Sequence, residues 1–179
     1  MKLLPELQRI IPARGGAPPP VRAADLGLLA LRLTVGLLLA GHGAQKLFGL
    51  FGGEGLIDTG KGFAALGYRP GTFFAGLAGA SELLGGLGLA VGLFTPLAAA
   101  MVIGVMINAI VVTSAHGLWE VNGGSEYPLC IAVAAFAVAA TGPGRLALDR
   151  AFPWRDGGPG AAAVALGLGG LGALVVLAL

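Results

Sequence analysis

Charge is scarce in this chain: only 11% of its 179 residues are Asp, Glu, Lys or Arg, against about 25% in an ordinary soluble domain. A water-soluble globular protein is excluded on that ground. The net charge of +2 is spread thinly, and no stretch interleaves basic with aromatic residues, so no nucleic-acid partner is expected. Cysteine is nearly absent too. Cys130 is the single thiol, which rules out an internal disulfide, a CxxC redox pair and a cysteine metal cluster, and it reads as a small buried apolar residue. Histidine occurs twice. With no haem pair, no cysteine cluster and no dinucleotide loop, haem, iron–sulfur cluster and nicotinamide are not expected, and a metal site would need more convergent ligands. No apolar run precedes residue 26, so no cleaved signal peptide is expected and the first span serves as an anchor.

What the chain has in quantity is apolar length. Hydrophobic residues make up 56% of it, and its 33 glycines lie largely within apolar runs, as in close helix packing in lipid. About 20 apolar residues cross a bilayer core. The runs predict spans over 26–45, 72–93, 96–115 and 126–141, and a fifth over 161–179 that reads as an appended helix outside any site. The expected fold is therefore an all-α integral membrane protein, a four-helix transmembrane bundle plus one additional C-terminal transmembrane helix. Its divisions are an N-terminal cytoplasmic segment over 1–24, a four-helix membrane domain over 25–150, a linker over 151–160 and the fifth helix over 161–179. Gly49 to Gly71 leaves the bilayer, and Phe63, Leu66 and Tyr68 give it a short amphipathic piece. Seven Lys and Arg flank the spans on the side of the N-terminus (Lys2, Arg9, Arg14, Arg22, Arg145, Arg150, Arg155) and three on the other (Lys46, Lys61, Arg69). That imbalance predicts a cytoplasmic N-terminus and an external C-terminus.

Two polar sets interrupt the apolar runs. The first is Arg32, Glu82 and Asn108, each within a span. A cation inside an apolar run costs about 2.5–3.5 kcal/mol on insertion scales, so a partner is required, and helix rise places Glu82 within reach of an extended arginine. An Arg32–Glu82 ion pair with Asn108 donating to the carboxylate is expected; the pair either only fixes which helices touch or polarises a pocket. Two small-residue tracks accompany it, Gly36 and Gly43 on the first span and Ala75, Gly79 and Gly86 on the second. The second set lies toward the other face: His42, Lys46, His116, Trp119, Glu120, Glu126 and Tyr127. His42 and Lys46 share a helix face at i and i+4, and histidine titrates near neutrality. Proton handling by His42, His116 and Glu126 beside a quinone pocket of Lys46, Trp119 and Tyr127 is one reading. Ordinary residues at headgroup level are the other.

The ordered features resemble the DoxX family over residues 26–150. They are Arg32 followed by His42-Gly43 and Lys46-Leu47-Phe48; Glu82 in the glycine-rich second span; His116-Gly117-Leu118-Trp119; Gly123-Gly124; Glu126-Tyr127-Pro128; and Gly142-Pro143-Gly144-Arg145 with Asp149. The resemblance implies a four-helix bundle in a bacterial inner membrane with a redox association. Branches of the family are tied to thiosulfate–quinone oxidoreductase and to a membrane oxidoreductase complex with superoxide dismutase and a sulfurtransferase. It brings no set of catalytic residues. The leading expectation is a quinone-linked redox subunit whose electrons come from soluble partner proteins. A non-enzymatic scaffold for soluble redox enzymes, and a small-solute or lipid-handling protein, are the alternatives.

Overall fold

The computed structural model describes residues 21–179. The expected N-terminal segment lies, up to residue 20, outside the described residues. Six α-helices follow: α1 Ala23–Phe48, α2 Gly55–Ala65, α3 Gly71–Val91, α4 Thr95–Thr113, α5 Glu126–Thr141 and α6 Pro159–Ala178. Four of them, α1, α3, α4 and α6, are long and apolar enough to cross a membrane, while α5 is a shorter apolar helix of 16 residues. The all-helical membrane architecture expected from the apolar runs is the one observed. The short α2 is the amphipathic piece between the first two spans. The end of the bundle where α1 begins is called proximal here, and the end where α1 finishes, distal.

The small-residue tracks set how α1 and α3 meet. Gly36 lies against the Gly86 backbone, and a Cβ on Gly43 would stand 2.5 Å from the Gly79 carbonyl oxygen. Moving seven residues forward on α1 moves seven back on α3, a single antiparallel register. α4 turns back beside α3 through a left-handed Gly92. The core then fills with Leu39, Leu89, Val102, Ile103, Ile131 and Val138 from four helices. Cys130, expected to be buried, is exposed on α5, where an apolar membrane helix offers its outer face to lipid rather than water.

The fifth span departs from the expected appendage. α6 runs parallel to α4, start beside start, and the two backbones close at Gly104 and Gly169, where a Cβ on Gly169 would lie 2.8 Å from the Ala100 carbonyl oxygen. Its apolar sequence looks featureless because glycine and alanine, not large side chains, make the contact. Nor is 151–160 a free tether. Phe152 and Trp154 stack at 5.1 Å and flank Phe94 at the start of α4, and the Gly158 N–H donates to the Ala140 carbonyl at 2.8 Å.

Candidate functional site

Two polar clusters lie within the bundle, one at each end, and neither contains the expected Arg32–Glu82 pair. Arg32 is at the proximal end and 1% exposed. Its Nη1 donates to the carbonyls of Leu89 at 3.4 Å and Ala90 at 3.2 Å, and its Nη2 to that of Leu146 at 2.7 Å. The reason is the register: Arg32 falls opposite Ala90, beside the last carbonyls of α3, which carry the negative end of the helix dipole. Asp149, fully buried, supplies the local negative charge. Its carboxylate accepts the N–H groups of Phe94 at 2.8 Å and Thr95 at 2.7 Å, capping α4, and its own N–H donates to the Gly92 carbonyl at 2.8 Å. Asp149 therefore takes the neighbouring-anion place expected of Glu82.

Glu82 pairs instead with Lys46. The Lys46 Nζ donates to Glu82 Oε2 at 2.7 Å, with the lysine side chain 25% and the glutamate 7% exposed. The α1–α3 register brings Lys46 beside Gly79, and the long stem reaches back one turn. Asn108 does not touch the carboxylate. Its Nδ2 donates to the Gly104 carbonyl at 3.0 Å, and its Oδ1 accepts the Tyr68 hydroxyl at 3.3 Å. Tyr68 follows α2 and was not singled out as polar in the sequence. Desolvation raises its phenol above the ordinary value, so it stays a neutral hydrogen-bond donor through the physiological range.

These four side chains line a cavity of about 630 Å³. Its walls come from α3 (Phe74, Leu77), α4 (Met101, Val105) and α6 (Leu168, Gly172), with Phe63 and Leu66 closing it beside α2. Volumes of ~300–1,000 Å³ with mostly apolar walls and a few placed polar groups are the usual form of small-molecule sites. The chemistry available is specific. An ammonium has three donors, and Lys46 commits one to Glu82. Tyr68 adds a phenol oxygen that can accept. Among the described residues no three His, Cys, Asp or Glu come together as metal ligands.

The remaining expected site residues fall outside the cavity lining. His42 and Tyr127 meet each other, Oη to Nε2 at 3.5 Å with the rings edge-on at 6.1 Å, and Tyr127 lies within electrostatic range of Glu82. Glu126 accepts the Glu120 N–H at 3.0 Å and ties down its loop. His116 and Trp119 are exposed in that loop. The six residues expected to share a pocket thus separate: Lys46 on the cavity, a His42–Tyr127 pair, His116 and Trp119 in the loop, and Glu126 at the start of α5.

A family model described as DoxX matches residues 27–115. The uncharacterized membrane protein Rv3486 of Mycobacterium tuberculosis (strain ATCC 25618 / H37Rv) is 30% identical over 157 residues, covering 82% of this chain and 88% of that one. The chain belongs to the DoxX family. No solved structure matches it. The part of this DoxX protein that the model matches contains Arg32, Lys46, Tyr68, Glu82 and Asn108 but neither α6 nor Asp149, so one cavity wall and the Arg32 counter-charge come from the rest of the chain.

Proposed function

We propose that this DoxX protein is the membrane subunit of a quinone-linked redox system in a bacterial inner membrane, holding a quinone in the cavity between α3, α4 and α6. The observation that carries the reading is an apolar cavity whose lining includes the Lys46–Glu82 pair, with the lysine partly exposed. A quinone has an apolar tail and a ring with two carbonyl acceptors. Lys46 offers spare N–H donors, the pair is neutral overall and so suits an uncharged head, and Tyr68 and Asn108 supply further polar atoms. When bound, the quinone would supply the two-electron chemistry; the residues of the chain bind and orient it. With a single cysteine and two histidines, the chain relies on a partner oxidoreductase for electrons. Glu82 with Lys46 is the group placed to hold a proton beside the ring. His42 and Tyr127 stand behind that pair as a route toward the distal face, and Glu126, His116 and Trp119 shape the loop there.

The Lys and Arg imbalance supports a cytoplasmic proximal end and an external distal end, which puts the polar groups of the cavity in the outer half of the membrane. The test is extraction and mass spectrometry of the protein purified in mild detergent, together with a thermal-shift titration using a short-chain alkyl benzoquinone. Stoichiometric quinone and a saturable shift that Lys46→Met abolishes are expected. A bound acyl lipid with no quinone response would replace this reading with lipid handling. An empty protein that captures soluble oxidoreductases would replace it with a scaffold.

A further inference from the structure

We infer that Gly172 on α6 determines which ligands the cavity admits, because it leaves the opening through which a flat ring head enters from the bilayer. The inference rests on the quinone reading and adds the wall that selects the ligand. α3 and α6 both pack on α4, and both line the cavity, so the space lies over α4 between them and opens toward lipid. Height follows from the parallel register. Gly104 and Gly169 touch, and one turn further along each helix stand Asn108 and Gly172. Gly172 is therefore level with the Tyr68–Asn108 pair, and the lining continues beyond both, to Val112 on α4 and Val176 on α6.

The two glycines one turn apart do different things. A Cβ on Gly169 would press on the Ala100 backbone, so Gly169 serves helix packing. A Cβ on Gly172 would meet nothing within 4 Å, although Gly172 lines the cavity. Close packing, the usual reason for glycine in a membrane helix, does not account for it. What its missing side chain leaves is width. A branched side chain there would stand in the entrance at the height of Asn108 without displacing any helix.

The experiment is a titration of the full-length protein in lipid nanodiscs with the short-chain alkyl benzoquinone, following the thermal shift. Gly172→Leu is expected to weaken binding by roughly 10- to 100-fold, as a misplaced methylene-scale group does in an apolar pocket, while melting like the wild type in the absence of quinone. Gly172→Ala should lie between the two. Gly170→Leu is the control, since that position is equally open and outside the cavity lining, about 200° around the helix; it should bind like the wild type. Wild-type affinity in a folded Gly172→Leu protein would overturn the inference and leave the quinone reading standing. A Gly172→Leu protein that fails to fold would mean the position is packed, and would overturn it as well. A wild type that does not respond to quinone would overturn the quinone reading itself.

Discussion

The two ends of the bundle each hold a charged residue inside the apolar region and treat it differently. At the proximal end Arg32 is buried, its Nη1 and Nη2 donating to three backbone carbonyls and its charge faced by Asp149. At the distal end Lys46 meets a single carboxylate, remains a quarter exposed, and borders open space. A cation whose terminal nitrogens are spent on buried backbone carbonyls holds the elements together, whereas one with donors to spare beside a cavity is available to a ligand. Membrane-embedded charge is a pointer to function, but the way its hydrogen bonds are used decides which charge carries it.

The sharpest break of that contrast is Arg32→Ala, which leaves Asp149 buried without its cation and should cost about 3–5 kcal/mol, read as a lost or much lowered melting transition in detergent. Asp149→Asn comes next. The Phe94 and Thr95 N–H groups go to different carboxylate oxygens, and the asparagine NH2 would set a donor against one of them, so a loss of about 1.5–3 kcal/mol is expected. Glu82→Ala should cost less, because Lys46 can turn toward the cavity. Combined with Arg32→Ala it should be additive within about 0.5 kcal/mol, since the two residues belong to separate clusters; a strong coupling between them would restore the direct pair that the register rules out. Tyr68→Phe is the mildest, at about 0.5–1.5 kcal/mol for one neutral hydrogen bond, and should leave quinone affinity reduced but measurable. Equal effects at both ends on stability and on binding would erase the distinction.

Most of the architecture was legible because the apolar run lengths are set by bilayer thickness. The partner of Arg32 was not, because depth along each span was counted from its end, and an error of a few residues at two ends shifts a pairing by more than a turn. The signal that fixes it was in the sequence: Gly36 with Gly43 and Gly79 with Gly86 have the same seven-residue spacing, and matching them antiparallel sends Arg32 to the end of α3 and Lys46 to Glu82. Half of the cavity was legible as well, in Lys46, Glu82 and Asn108. In the sequence Tyr68 shows only as part of an amphipathic piece, and α6 only as an apolar run. A wall built of Gly172 and Ala173 carries no hydrophobic or polar pattern, so only its packing against α4 reveals it.

The burial of Arg32 also bears on how the protein is made. Arg32 emerges from the ribosome early, the Leu89 and Ala90 carbonyls 57 and 58 residues later, and Leu146 114 residues later. At roughly 5–20 residues per second, the cation waits on the order of ten seconds in the membrane for its last acceptor. During that time it must reach toward the headgroups along its own stem. The proximal end therefore cannot close before residue 146 is made, and a nascent chain halted short of it would leave Arg32 without its Leu146 acceptor.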